Sequence, residues 1–528
     1  VSIMSTFCAE LEKQGATSNF MSTIQTFKKY FNNDMDDPPK FERIFTYFIF
    51  IFMFVVQYVC SLFQMILPRK YFLLKVAKSL KIASLQIIDK HKFEDDLPPL
   101  KRVRKTPEHM LAGFRHEVDK RYHPVLSSFS SVYNVAGYSR FKSCFHREIC
   151  SAPGDLVQVR MDDGKLETVI NTCSYNYLGV RSDQANVESL VKCGKETGLG
   201  IYLNRSVQDL PLLRELEKKW AEFLGAEDCI AHFMGYDTNT MIIPTLIDKD
   251  TVLYSDQFNH NSLIKGCQYS ASKICKFSSK NLDALEEQLK QNAGKKGLVI
   301  VEGLYSMEGT YVDLPRLVQL KEKYGVMLYV DEAHSIGALG PGGRGVVEHF
   351  GLARSAVDFS MGTFTKSFGS IGGYVAGSHE LISKIRARSP IFNQYVGICP
   401  MFAQQILNSL DFVKSEKGRA NILQLKENSV YLRQEFIKRG FTVYGEPDSP
   451  VVPVLFYNPF KMMYINQELL KRKISCVVVG FPAVPLVSAR VRFCVSAIHT
   501  REELEYVVEH MDQIGDYLSI KFEKEAKK

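Results

Sequence analysis

The sequence predicts an α/β protein built on a mostly parallel sheet, with a smaller α+β domain behind it. Three observations lead there. From about residue 165, short apolar runs alternate with stretches of helical period, the pattern of strand–helix–strand units. The runs "GLVIVEG" (297–303), "VMLYVDEAH" (326–334) and "DFSMGTF" (358–364) are apolar at consecutive positions, as strands covered on both faces require. After about residue 400 the order changes, with helical "AQQILNSLDFVK" and "SVYLRQEFIKRG" preceding "SPVVPVLFY" and "SARVRFCVS".

The elements follow in chain order. Residues 1–43 are an N-terminal segment, opening on Val1 rather than a methionine, so an upstream start is expected. The run "IFTYFIFIFMFVVQYVCSLFQMIL" (44–67) carries no charge. As a helix it would reach about 36 Å, against about 30 Å of bilayer hydrocarbon, which favours a membrane segment over a buried core helix or a signal sequence. Residues 68–107 are basic. Between Arg69 and Lys105, eleven Lys/Arg stand against four acidic residues, so this segment holds nearly all of the net charge of +8. A basic flank after the apolar run places the downstream body in the cytosol. Lys75, Lys78 and Lys81 suit a helix lying on an anionic membrane surface, with a solvated bundle helix as the alternative. "KFEDDLPPLKRVRKTP" (92–107) reads as a linker.

Residues 108–390 are then expected to hold an N-terminal arm and the large domain, and 391–528 the small one. Within the large domain, "NLDALEEQLKQN" and "LPRLVQLKEKYG" are helices, the second closing on Gly325. No basic stripe runs along the body, which argues against nucleic acid as a partner. The 12 cysteines show neither a CxxC pair nor zinc spacing, so no disulfide framework and no metal site are expected.

In open α/β sheets ligands gather at the carboxyl ends of strands. Asp331, Thr363 and Lys366 all fall there, in "VMLYVDEAH" and "GTFTKSFGSIGGY". A carboxylate closing an apolar run is desolvated unless it faces a cation. A buried lysine has a depressed pKa and is nucleophilic. A carboxylate for a pyridinium nitrogen and a lysine for an aldehyde are what pyridoxal 5'-phosphate (PLP) needs. Thr363 and Thr365 with nearby backbone N–H groups suit its phosphate, and His260 in "SDQFNHNSLIKG" a ring to stack on it. Singly, each residue has a plainer reading: a surface lysine, a helix-capping aspartate, a satisfied core histidine. "GPGGRG" (340–345) lacks a P-loop lysine and reads as a turn.

"VDEAHSIGALGPGGRGVVEHFG", "GTFTKSFGSIGGYVAG", "EGLYSMEG" and "VVVGFPAVPLVSARVRFCVSAIHT" together resemble the α-oxoamine synthases, fold-type I PLP-dependent transferases, over about residues 125–515. Within that family the chain is similar to the lysine-bearing long-chain-base 2 type branch. The resemblance implies that Lys366 carries the cofactor, Asp331 pairs with the pyridine nitrogen and His260 stacks on the ring. It implies that His334 and Ser306 lie near the phenolic oxygen, and that Thr363, with the backbone of Gly235 and Tyr236, holds the phosphate. Arg492, seven residues before His499, would clamp the amino-acid carboxylate, with Asn176 of "SYNYLG" bordering it. The implied reaction joins L-serine to palmitoyl-CoA at the endoplasmic reticulum membrane, near membrane lipid, in a heterodimer with a lysine-less long-chain-base 1 type subunit. The alternatives are another α-oxoamine synthase and a non-catalytic scaffold subunit.

Two departures from the family pattern stand out. Gly397 and Ile398 in "NQYVGICPMFAQQ" (393–405) replace hydroxyl residues that in relatives reach a neighbouring subunit's cofactor, as expected where that neighbour has no working cofactor site. Leu213, in "GIYLNRSVQDLPLLRELEKK" (200–219), replaces a histidine in a region that in relatives lines the acyl-CoA path.

Overall fold

The computed structural model describes residues 39, 41–49, 144, 147–161, 163–180, 184–200, 203–481 and 483–522. The chain divides into two compact units, 1–142 and 143–528. In the first, a helix covers 41–49, with Phe41 and Phe45 stacked 5.7 Å apart. Of the apolar run 44–67, residues 50–67 lie outside the described residues, as do the basic stretch 68–107 and residues 108–143. Among the described residues no helix is long and apolar enough to cross a membrane.

Among its described residues the second unit carries fourteen strands: β1 (Leu156–Arg160), β2 (Leu166–Asn171), β3 (Asp228–His232), β4 (Val252–Asp256), β5 (Lys273–Phe277), β6 (Gly297–Glu302), β7 (Met327–Asp331), β8 (Phe359–Thr363), β9 (Gly373–Gly377), β10 (Thr442–Val443), β11 (Val451–Tyr457), β12 (Ile474–Ser475), β13 (Val477–Val479) and β14 (Ala489–Cys494). Seven form one sheet in the order β3-β9-β8-β7-β6-β4-β5. Its pairings from β8 through β7, β6 and β4 to β5 are parallel, whereas β9 runs antiparallel to both β8 and β3. Strands β6 and β8 are buried along their whole length, and β7 at every residue but the first, Met327. Successive side chains of β6 feed opposite faces: Leu298 and Ile300 join one apolar cluster, Val299 and Val301 the other. Helices Leu282–Gln291 and Leu314–Tyr324 cover the second face. Each starts where a side chain caps it, Asn281 accepting from Ala284 N at 3.1 Å and Asp313 from Arg316 N at 3.1 Å. The latter helix ends on Gly325 at φ 63°, a left-handed turn that glycine adopts without a Cβ penalty.

The smaller sheet, β10-β11-β14-β13, packs with helices Glu416–Lys438 and Arg501–Leu518. Strands β1 and β2 join β12 in a separate three-stranded sheet, Ile170 pairing with Ile474 and Asn171 with Ser475. The stretch ahead of the large sheet is thereby tied to the C-terminal part of the chain.

Candidate active site

Asp331 and Thr363 are the last residues of β7 and β8, and Lys366 lies three residues further, in the turn before β9. Register places Asp331 beside Glu302, the last residue of β6, and beside Met361 of β8. The strand ends therefore gather the residues that the sequence singles out.

Asp331 is held at both carboxylate oxygens. Its Oδ2 accepts from Asn239 Nδ2 at 2.8 Å and its Oδ1 from Ala333 N at 2.9 Å. Asn239 also donates to Ser262 Oγ at 3.0 Å and accepts from the Tyr329 hydroxyl at 2.8 Å. His260 caps the helix Asn261–Tyr269, its Nδ1 accepting from Ser262 N at 3.2 Å, while its own N–H donates to Glu302 Oε1 at 2.5 Å. Burial raises the Glu302 carboxyl well above its usual range, and Asp331 beside it adds to the shift. Burial lowers the His260 pKa, opposed by Asp331 and assisted by Lys366, which leaves the ring neutral and suited to stacking.

Thr363 and Gly235 meet closely. A Cβ on Gly235 would stand 2.9 Å from Thr363 Oγ1, and one on Gly373 2.9 Å from Gly235 Cα, so a side chain at either position would fill the cradle. Thr363 Oγ1 donates to Gly372 O at 2.9 Å and lies 2.8 Å from Thr365 Oγ1. Gly235 and Tyr236 open the helix Gly235–Leu246, ahead of its first bond from Thr238 N to Met234 O at 3.0 Å. Their N–H groups, the positive end of the helix dipole and the Thr363 hydroxyl suit a phosphate.

On the other side the site is donor-rich. Burial lowers the Lys366 amine to about 8; Asp331 and Glu302 pull it up, and Arg492 pushes it down. Lys366 Nζ lies 5.4 Å from the centre of the Tyr175 ring, and the Arg492 guanidinium 4.9 Å from the same ring. Arg492, on β14, is buried, and among the described residues no carboxylate pairs with it. Its Nε has no hydrogen-bond partner. An unmatched buried guanidinium is costly to leave alone and fits a ligand carboxylate.

His334 is buried three residues after Asp331, its Nδ1 2.7 Å from the Tyr177 hydroxyl and its ring edge-on to Tyr175 at 5.1 Å. Burial holds its pKa well below the ordinary value, and the Lys366 and Arg492 charges push it the same way. Burial also keeps the Tyr177 phenol protonated, so it donates to Nδ1 and the ring proton sits on Nε2. Ser306 is half-buried in the turn after β6. Asn176 does not reach Arg492; its amide donates instead to Pro153 O at 2.7 Å, which anchors the "SYNYLG" loop.

The residues present fit PLP: a carboxylate at a strand end, an amine of lowered pKa, a stacking ring and an anion cradle. Asn239, Glu302, Tyr175 and Tyr177 were absent from the sequence-based candidates. Glu302 had the same signal as Asp331, a carboxylate closing the apolar run "GLVIVEG", and Asn239 lies one helical turn after Gly235. The two departures also meet. A Cβ on Gly397 would stand 3.2 Å from Leu213 Cδ1 and 3.2 Å from Arg205 Cγ, while Ile398 is buried against Gly372.

Residues 167–511 match the family described as aminotransferase class I and II. Over 444 residues the chain is 40% identical to serine palmitoyltransferase 3 of Homo sapiens, covering 79% of this chain and 80% of that protein. It is 40% identical over 438 residues to serine palmitoyltransferase 2 of Caenorhabditis elegans, covering 77% and 78%. Among solved structures, one of SPT with PLP as internal aldimine matches with a TM-score of 0.70 and 26% identity, over 75% of this chain and all of that one. A serine palmitoyltransferase from S. paucimobilis matches equally, with a TM-score of 0.70 and 26% identity over 75% of this chain and 100% of that one.

Proposed function

The chain belongs to the class I and II aminotransferases and, within them, to the serine palmitoyltransferases, and from that premise we propose that it is the catalytic subunit, using PLP to join L-serine and palmitoyl-CoA. A carbon–carbon bond forms between the serine α-carbon and the acyl carbonyl carbon, the thioester bond breaks to release CoA, and the serine carboxylate leaves as carbon dioxide. The product is 3-ketosphinganine. The observation that carries this reading is the half-buried Lys366, whose amine desolvation lowers to about 8 within the fields of Asp331, Glu302 and Arg492.

When bound, PLP supplies an electron sink for the charge that develops at the serine α-carbon. Asp331, held by Asn239 and Ala333, would keep a proton on the pyridine nitrogen. His260 would stack on the cofactor ring, and His334 would offer its Nε2 proton to the phenolic oxygen. Lys366 Nζ would hold the cofactor and, once released from it, would move the proton at the serine α-carbon. With a pKa of about 8, roughly a tenth of its free amine is unprotonated at pH 7, against well under a thousandth for an ordinary lysine. Arg492 orients the serine carboxylate, and the convergence of these groups supplies proximity.

The body is proposed to work at the endoplasmic reticulum membrane, facing the cytosol, with residues 44–67 as anchor. The uncharged run and its basic flank support this, and so does the lipid nature of both acyl substrate and product. A lysine-less long-chain-base 1 type partner is proposed as well, supported by Gly397 and Ile398, neither of which offers a hydroxyl to a neighbour. The test expresses the chain with and without that partner and records the visible absorbance of the lysine-bound cofactor. A band abolished by Lys366→Ala and shifted by L-serine supports the catalytic reading. Absence of any band in both preparations leaves the scaffold reading standing, and full activity of the chain alone removes the heterodimer.

A further inference from the structure

Arg490 and Arg492 project from the same face of β14, two residues apart, and both engage one turn. Arg490 Nη1 donates to Met307 O at 2.9 Å and lies 3.6 Å from Glu308 Oε1. Its Nε donates to Ser488 O at 2.9 Å, and its guanidinium lies over the Tyr444 ring at 5.6 Å. The turn is thus fastened by its backbone, which leaves the Met307 side chain free to choose its neighbour. That neighbour is Arg492, whose Nη1 lies 3.5 Å from Met307 Sδ.

A thioether is a weak acceptor on a flexible stem. It lines the guanidinium without matching it, and Arg492 Nε remains without a partner. A carboxylate accepts two charge-assisted bonds from the same fork, so exchange of sulfur for carboxylate is favourable. An oxygen acceptor at Met307 would compete instead. We propose that Met307 determines affinity at the amino-acid carboxylate subsite: its thioether covers the Arg492 guanidinium as a replaceable neighbour, held in place by Arg490, and yields to the substrate carboxylate. This rests on the reading of Arg492 as the carboxylate-binding residue.

The experiment titrates holoenzyme with L-serine, following the cofactor absorbance as a measure of binding alongside initial rates. Met307→Gln, close in size but with a strong acceptor, is expected to raise half-saturating serine by about tenfold, the order expected for a competing bond to a charged donor. The KM for palmitoyl-CoA should stay within about twofold, since uniform damage would move both. Met307→Leu keeps the volume but leaves no acceptor to displace, and is expected to tighten serine binding by up to about twofold. Unchanged serine affinity in Met307→Gln, or an equal loss in Met307→Leu, would overturn the proposal. Arg492→Ala separates it from its premise. If that variant loses serine affinity while Met307→Gln does not, only the Met307 assignment fails; if Arg492→Ala binds serine normally, both readings fall.

Discussion

Arg205 and Arg492 are both 3% exposed, yet they have opposite surroundings. Arg205 is saturated. It bonds Glu217 and Asp209, with its Nη2 2.7 Å from Asp209 Oδ1, donates to Ala231 O at 3.3 Å, and lies over the Phe392 ring at 5.2 Å. Its partners raise its pKa against the pull of burial. Among the described residues Arg492 has only neutral contacts, the Tyr175 ring and hydroxyl and the sulfurs of Met307 and Cys494, and its Nε has no partner. The same side chain at the same depth thus serves the fold in one place and a ligand in the other. Unused bonding capacity, not burial, marks the functional one.

The comparison can be broken in four ways. The largest effect belongs to Lys366→Ala, which removes the amine at the centre of the donor-rich side; kcat is expected to fall by about a thousandfold or more, measured as product formation per folded enzyme. Next, Arg492→Ala is expected to raise the KM for L-serine by about a hundredfold, the order of losing a bidentate charged contact, without lowering the melting temperature. Arg205→Ala should do the reverse. It strips buried Glu217 of one of its cations, leaving Arg386 at 3.2 Å and the Ala231 N–H at 2.8 Å on that carboxylate, and is expected to cost about 2 kcal/mol of stability in denaturant unfolding, while the serine KM per folded enzyme hardly moves. If Arg205→Ala moves the serine KM as far as Arg492→Ala, the distinction collapses.

The smallest effect is one of pH. In cofactor-free protein, uptake of PLP followed by absorbance should quicken as pH rises and level off above about 8, where the Lys366 amine is mostly unprotonated. A depressed folded-state pKa also means that the unfolded chain binds more protons from about pH 8 up to the ordinary lysine range. The contribution of Lys366 to stability therefore becomes less unfavourable as pH rises through that window. Levelling only near the ordinary lysine value would show that burial does not lower this amine.

Much of this was legible because it was local. Asp331 and Lys366 stand where apolar runs stop, and the parallel strands β6, β7 and β8 lie within the runs that predicted them. What was hidden depends on contacts between distant residues. Asn239 reaches Asp331 across 92 positions, and Asn176 turns its amide to Pro153 rather than to Arg492. The antiparallel direction of β9 follows from a hairpin turn whose glycines, Gly369 at φ 57° and Gly372 at φ 117°, reverse the chain. No periodicity shows that Arg205 will find Glu217 while Arg492 will not find a carboxylate; only the resemblance separated them.

The pairing of β2 with β12 has a consequence for how the molecule is made. Strand β2 ends at Asn171, and its neighbour begins at Ile474. On a ribosome adding roughly 5–20 residues per second, β2 waits on the order of 15–60 s for that neighbour. Tyr175 follows directly behind β2 and Arg492 comes later still. The amino-acid half of the site is thus completed near the end of translation, after the large sheet that carries Lys366 has left the ribosome, and a nascent chain that stalls before Arg492 holds the lysine without its carboxylate clamp.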